Sequence, residues 1–323
     1  MRLARRAFLA ALAAPAVARA QEGGFPTRQV RLIVPYPPGG GLDVLARAIA
    51  DRLQPAWRQA VVVENRPGGS TVPGTDAVAK AAPDGHTLLV TADNSITANP
   101  HLIRGLPHDP VRDLVPVSVL VEVHQMILVH PSVRARTVAE LVEAARAEPG
   151  RLNFGSYGNG SQPHLTFGAL MAEARVEMTH VPYRGVPPAI LATLSGEVQM
   201  TLAGIASSIE HLRGGALRAL AVGRPARFEQ LPEVPTLAEA GYPGIDPRTW
   251  FGAFAPSGTP PALVARIARD IAAAMAEPAV RDRHLVPNGY TVHAGTPEAA
   301  AAFVREDLDY KRRLIAAAGI RPE

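Results

Sequence analysis

Val34-Pro35-Tyr36-Pro37-Pro38-Gly39-Gly40-Gly41-Leu42-Asp43 joins a short apolar run to a helical one through a single turn. Upstream, Val30-Arg31-Leu32-Ile33-Val34 reads as a buried strand. Downstream, Leu42, Leu45, Ala46, Ile49 and Leu53 recur at helical spacing. Three consecutive glycines let backbone N–H groups approach a ligand, and the helix N-terminus that follows favours negative charge. The stretch is either a cradle for a carboxylate or phosphate or a plain glycine-rich strand–helix turn. Its spacing is neither G-x-G-x-x-G nor G-x-x-x-x-G-K-[ST], so a nucleotide is not indicated. Asp43 reads as a first-turn acid rather than a ligand contact.

The pattern continues outward. Val61-Val62-Val63 is a second strand, ended by Asn65-Arg66-Pro67-Gly68-Gly69. A short helix over residues 76–82, the turn Pro83-Asp84-Gly85 and the strand Thr87-Leu88-Leu89-Val90 follow. This β-α-β-α-β order predicts a parallel sheet with helices on its faces. Residues 117–129 form a longer β-type run, interrupted by His124 and Gln125, which reads as a crossing to a second domain. There, Thr137 and Glu140 form a capping box for a helix over 137–148, closed by Pro149-Gly150. Strands over 153–156, 178–182, 198–202 and 217–222 alternate with helices over 165–174, 188–194 and 207–213. Residues 250–255 read as the return crossing, and helices over 260–276 and 297–318 finish the chain. The sequence therefore predicts two α/β halves that share two crossings, near 120–125 and 246–250, with a cleft between them. The expected division is a signal over 1–20, a first lobe over 21–123 and 248–323, and a second over 124–247.

The N-terminus carries Arg2, Arg5 and Arg6, an apolar run over 7–17 and Ala18-Arg19-Ala20, the form of a cleavable export signal with Gln21 as the new start. Arg5-Arg6-Ala7-Phe8-Leu9 fits a twin-arginine signal or the basic start of a general one. The expected location is the periplasm. The whole chain has a formal net charge of +4, from 33 Lys and Arg against 29 Asp and Glu. Four of those arginines leave with the signal and no acid does, so the exported chain is close to neutral. That removes the electrostatic case for nucleic acid as a partner. With no cysteine, the chain has no disulfide, no thiolate metal site and no cysteine nucleophile.

Gly155-Ser156-Tyr157-Gly158-Asn159-Gly160-Ser161-Gln162-Pro163-His164 occupies the matching place in the second half: strand, glycine loop, helix. Ser161 either caps that helix or bonds an anion, and His164, one turn in, is a further donor or a surface histidine. A third loop, His180-Val181-Pro182-Tyr183-Arg184-Gly185, offers Tyr183 as a cleft wall and Arg184 as a charge. Arg184 reads equally as a solvated arginine. Trp250 lines the cleft or packs the hinge. Gly68-Gly69-Ser70-Thr71-Val72 lacks the last glycine of G-x-S-x-G, no H-E-x-x-H occurs, and the ten histidines are dispersed. No catalytic residue, metal site or cofactor is predicted.

Seven stretches resemble the tripartite tricarboxylate transporter substrate-binding proteins, also called Bug or TctC-type receptors. They are VPYPPGGGLDVLAR (34–47), VENRPGGSTVPG (63–74), DAVAKAAPDGHTLL (76–89), NPHLIRGLPHDPV (99–111), THVPYRG (179–185), LRALAV (217–222) and WFGAFAPSGTP (250–260). The resemblance implies a type II periplasmic-binding-protein-like α/β fold of two Rossmann-like lobes that close on one ligand. The ligands it implies are a di- or tricarboxylate, an acidic amino acid or an aromatic acid. It further implies that backbone N–H groups and waters hold a ligand carboxylate. Those contacts map onto Tyr36, Gly39, Gly40 and Leu42 in one lobe and Tyr157, Gly160, Ser161 and His164 in the other. Similar proteins often carry Asp or Asn after the strand that here ends at Leu202. This chain has Ala203-Gly204, which argues against an amine-bearing ligand.

The expected function is capture of a small organic anion and delivery to the membrane permease of a tripartite-type transporter, by a monomer without enzymatic activity. Two alternatives stay open: a sensory receptor for a signalling partner, or an extracytoplasmic hydrolase using Ser161 or Ser70 with a histidine.

Overall fold

The computed structural model describes residues 24–322, and the predicted export signal lies outside them. In chain order its elements are β1 (Val30–Val34), α1 (Gly41–Trp57), β2 (Val61–Asn65), α2 (Val72–Ala79), β3 (Thr87–Ala92), α3 (Asn99–Leu102), β4 (Leu114–Val123), β5 (Gln125–Val129), α4 (Val138–Ala147), β6 (Asn153–Ser156), α5 (Gln162–Ala174), β7 (Thr179–Pro182), α6 (Val186–Leu194), β8 (Met200–Gly204), α7 (Ile209–Arg213), β9 (Arg218–Val222), β10 (Thr249–Pro256), α8 (Pro261–Ala276), α9 (Pro278–Val280), β11 (Thr291–Val292) and α10 (Pro297–Ala317). Short 3₁₀ and π turns lie at Gly69–Thr71, Asn94–Ala98 and Arg281–Leu285.

The strands form two sheets, ordered β11-β4-β10-β3-β1-β2 and β7-β6-β8-β5-β9. Setting β11 aside, the two orders superimpose. β1, β2 and β3 occupy the places of β6, β7 and β8, and β10 and β4 those of β5 and β9. Each sheet has a parallel trio, β2-β1-β3 or β7-β6-β8. The parallel expectation holds only for those trios. β10 runs antiparallel to β3 and β4, and β5 runs antiparallel to β8 and β9. Both antiparallel strands follow a crossing: the chain enters each from the other sheet and so meets the trio from the opposite end. The run over 117–129 divides at His124 between β4 in one sheet and β5 in the other.

Packing explains the sheets' local order. Leu42, Leu45, Ala46, Ile49, Leu53 and Trp57 form the buried stripe of α1 against Leu32, Val34 and Leu88. Each such Leu or Ile contributes about 1.5–3 kcal/mol. On β10, period-two alternation sends Phe251, Ala253 and Ala255 to that cluster and Trp250 and Phe254 to the opposite face, with Ile33, Leu89 and Val119. Thr137 caps α4 by accepting from the Glu140 N–H at 3.1 Å, at the position read from the sequence, and Thr296 caps α10 by accepting from the Ala299 N–H at 3.3 Å. Helices α2, α5 and α6 begin earlier than their apolar periodicity suggests, because Pro73, Pro163 and Pro187 sit in their first turns. The C-terminal helix belongs to both lobes. Ala300 and Val304 pack under the first sheet, while Leu314 and Ile315 enter the core of the second.

Candidate functional site

β1 and β6 hold equivalent places in their sheets, so the loops after them open onto one cleft from opposite sides. In the first loop Gly39 takes a φ of +87° that favours glycine. Its N–H donates to Asp43 Oδ2 at 2.9 Å. The same carboxylate accepts from Arg47 Nε at 3.0 Å and Asn65 Nδ2 at 2.9 Å. Burial would raise the Asp43 pKa, but these three donors outweigh it and hold it below the usual carboxylate range. Asp43 thus braces the loop. The N-cap of α1 is Gly40, which has no side chain to satisfy the first-turn N–H groups.

The second loop is braced from beneath. Ser156 Oγ lies 2.6 Å from His180 Nε2, and the Gly160 N–H donates to His164 Nδ1 at 3.1 Å. The His164 and His180 rings stack at 4.0 Å. Burial, then the neighbouring His164, pushes His180 down to about 4, so the His180 ring works as a neutral support near pH 7. Ser161 is the N-cap residue of α5, yet its hydroxyl donates to the Gly158 carbonyl at 2.6 Å and makes no cap. Both helices that follow these glycine loops therefore start without a side-chain cap.

A cavity of about 640 Å³ lies between the lobes. Of the residues singled out in the sequence, Tyr36, Gly39, Gly40, Leu42, Tyr157, Ser161 and Arg184 line it. Five others do not. Gly160 and His164 sit behind the second loop. Tyr183 donates its hydroxyl to Glu197 at 2.8 Å and packs against Gly155. Ala203 is fully buried, and Gly204 takes its place on the wall. Trp250 is fully buried with its indole N–H on Asp307 at 2.8 Å, because strand alternation turns its neighbours Thr249 and Phe251 to the cleft instead.

The cavity also takes residues that the sequence reading passed over. Asp93 and Asn94 follow β3 directly, at the carboxyl end of a parallel strand, where a cleft loop is expected. Gln125 stands at the first crossing, and Tyr290 arrives from just before β11, a place with no local signal. Asn94 Oδ1 accepts from the Tyr36 hydroxyl, and Gln125 Oε1 accepts from Tyr157 at 2.8 Å. Among the described residues no protein acceptor meets Asn94 Nδ2, Gln125 Nε2 or the Tyr290 hydroxyl. Burial pushes Tyr290 up to about 12, so it remains a donor. A wall of open donors beside two uncapped helix starts is suited to an anion.

Residues 45–320 match the TctC family, described as the tripartite tricarboxylate transporter family receptor. The chain belongs to this family. Protein BugT of Bordetella pertussis (strain Tohama I) is 35% identical over 285 residues, 88% of this chain and 87% of that one. Two solved structures share the fold closely. Rpa4515 of R. palustris, with adipate, is 33% identical with a TM-score of 0.87, covering 93% of this chain and all of that one. MatC from Rhodopseudomonas palustris, with bound malate, is 30% identical with a TM-score of 0.83, covering 90% and 100%. The chain is thus a TctC-family periplasmic solute-binding protein with the two-lobed α/β fold that its resemblance implied.

Below the cleft of this TctC receptor lies a buried cation. Lys311 of α10 is fully buried, with Nζ 2.6 Å from Asp93 Oδ2 and 2.6 Å from Gln162 Oε1. Burial alone would lower its pKa, but Asp93 and Asp307 more than offset that, and it is raised. Thr249 donates to Asp93 from the side, and Thr97 and Trp250 donate to Asp307. Asp93 comes from the first sheet and Gln162 opens α5 of the second, so one ammonium ties the two lobes together. In the same receptor the fully buried Ser156 hydrogen-bonds His180 and Ser132 hydrogen-bonds His130, while Ser161 donates to a carbonyl.

Proposed function

We propose that this receptor captures a small carboxylate between its lobes and hands it to the permease of a tripartite-type transporter in the membrane. The observation that carries the reading is the pair of uncapped helix starts, at Gly40 and Ser161, facing one cavity together with the donors of Asn94, Gln125 and Tyr290. A carboxylate there satisfies N–H groups from both lobes at once, so it binds the closed form more tightly than either open lobe and drives closure. The adipate and malate found in Rpa4515 and MatC support the ligand class. Closure in turn gives the permease a surface that distinguishes loaded from empty receptor.

The test is thermal unfolding of the exported chain, from Gln21, against a panel of carboxylic acids and the corresponding amides. A ligand at about a thousand times its Kd adds about 4 kcal/mol, a shift of several degrees. An acid should shift the transition, its amide should not, and the acid should be recovered unchanged. A response shared equally by acid and amide, or conversion of the compound, contradicts the reading.

A further inference from the structure

The floor of the cleft resists an anion. Asp93 lines it and lies close to the start of α5, because its Oδ2 and the Gln162 Oε1 both sit 2.6 Å from Lys311 Nζ. Behind it is a second buried carboxylate, Asp307, whose Oδ1 meets no hydrogen-bond partner among the described residues. One ammonium thus faces two carboxylates. Arg248 acts on Asp307 from beyond, but Glu122 and Asp246 each hold it at 3.2 Å, so it brings no spare positive charge to the floor. A ligand carboxylate entering here adds a further negative charge to a buried cluster that already lacks a counter-ion, which is costly.

Asp93 is the group that can relieve this. Lys311 keeps its charge. Tyr36 and Tyr157 face Asp93 from the two glycine loops, and burial keeps both hydroxyls protonated. Burial also raises the pKa of Asp93 against the pull of Lys311, and Asp307 adds to the rise. Asp93 Oδ1 accepts from Thr249, which lines the cavity beside it. A hydroxyl has one proton to give and two lone pairs. While Asp93 is ionised, the Thr249 proton is committed to it, and Thr249 offers an anion only lone pairs. Once Asp93 is protonated, it donates to Thr249 and frees the hydroxyl proton for the cleft.

We infer that the receptor takes up a proton together with its ligand: Asp93 accepts it from solvent as the carboxylate enters, and the Asp93–Thr249 hydrogen bond reverses so that the Thr249 hydroxyl donates to the ligand. This rests on the carboxylate-capture reading and adds to it the residue that makes capture depend on pH. One negative charge arrives with one positive charge, so the net charge of the floor does not change. Affinity falls as pH rises, by up to about tenfold per unit, wherever the free receptor holds Asp93 ionised and the complex holds it protonated.

Titration calorimetry on the exported chain, with malate, adipate and benzoate in phosphate and in Tris, counts the proton, because the two buffers release protons with different enthalpies. Between about pH 6 and about pH 8.5 an acid that binds should carry up to about one proton into the complex. Asp93→Asn, whose amide donates without taking up a proton, should bind with no uptake and with an affinity that is level across this range. His211→Gln, which removes the one histidine on the cavity wall among the described residues, should keep the uptake. Thr249→Val should weaken binding about tenfold, and Thr249→Ser should restore it. Binding by the parent with no uptake anywhere in the range overturns the inference without recourse to a variant and leaves carboxylate capture standing. Uptake that survives Asp93→Asn, or that disappears in His211→Gln, overturns the assignment to Asp93. Unchanged affinity in Thr249→Val overturns the reversal. Failure of every acid to bind overturns both readings.

Discussion

Gly160 shows how much one residue can fix in this molecule. Its φ is +73°, and an added Cβ would lie 2.4 Å from Leu102 Cδ1. Leu102 belongs to the chain between β3 and β4, yet it packs in the core of the second lobe. The glycine therefore serves two demands, a left-handed backbone and room for a side chain reaching across from the other half. Gly160→Ala should cost about 1–3 kcal/mol in urea unfolding, since strain and overlap act together. It should also weaken ligand binding, because the shift moves the start of α5. A variant as stable as the parent would mean that the loop relaxes freely and does not hold α5 in place. Trp250 teaches the complementary lesson. Its size suggests a cleft wall, but its parity on β10 sends it to the core beside Asp307, and Phe251 takes the wall. Counting by twos from Phe254 would have placed it correctly.

At the scale of elements, the helices begin in two ways, with a side-chain cap or, as in α2, α6 and α8, without one. α4 and α10 start at threonines whose side chains accept a first-turn N–H. α1 and α5, which open on the cleft, start without one. Thr137→Ala should thus cost about 1 kcal/mol in chemical unfolding and leave ligand affinity untouched. A changed affinity would mean that α4 communicates with the cleft. Caps, strand runs and the two glycine loops were legible in the sequence because they are local: each is set by residues within a turn or two. The pairing of β10 between β3 and β4 was not, since antiparallel entry follows from the second crossing and not from any pattern inside residues 249–256. Asn94 and Tyr290 were missed for a related reason. Their role depends on which loops the sheet order brings to one end, and Tyr290 sits in a segment with no periodicity to read. Asn94 alone had a usable signal, its place just beyond a parallel strand.

For the whole molecule the decisive contact is Lys311, and its own surroundings in sequence hide it. Tyr310-Lys311-Arg312-Arg313 looks like the solvated basic face of a long helix. Yet the ammonium is fully buried between Asp93 of the first lobe and Gln162 of the second. Removing one partner of a buried pair leaves the other charged and unpaired, so Lys311→Met should destabilise the protein by about 3–5 kcal/mol. The pH dependence of that loss carries the diagnosis. Burial already raises the folded-state pKa of Asp93 beside Lys311, and without the cation that opposes it the rise is larger. A carboxyl raised in this way takes up a proton more readily when folded, and its stability is lost as pH rises through the folded pKa. The deficit should accordingly be larger at about pH 8 than at about pH 5. Asp93→Asn combined with Lys311→Met should recover much of the loss, because no charge remains to be buried. Urea unfolding of the parent, both single variants and the double variant at the two pH values measures the coupling directly. Equal deficits at both pH values with no recovery in the double variant would show that Lys311 acts through the packing of its stem alone. The lobes would then be joined by α10's apolar contacts with each core, and not by a charge beneath the ligand.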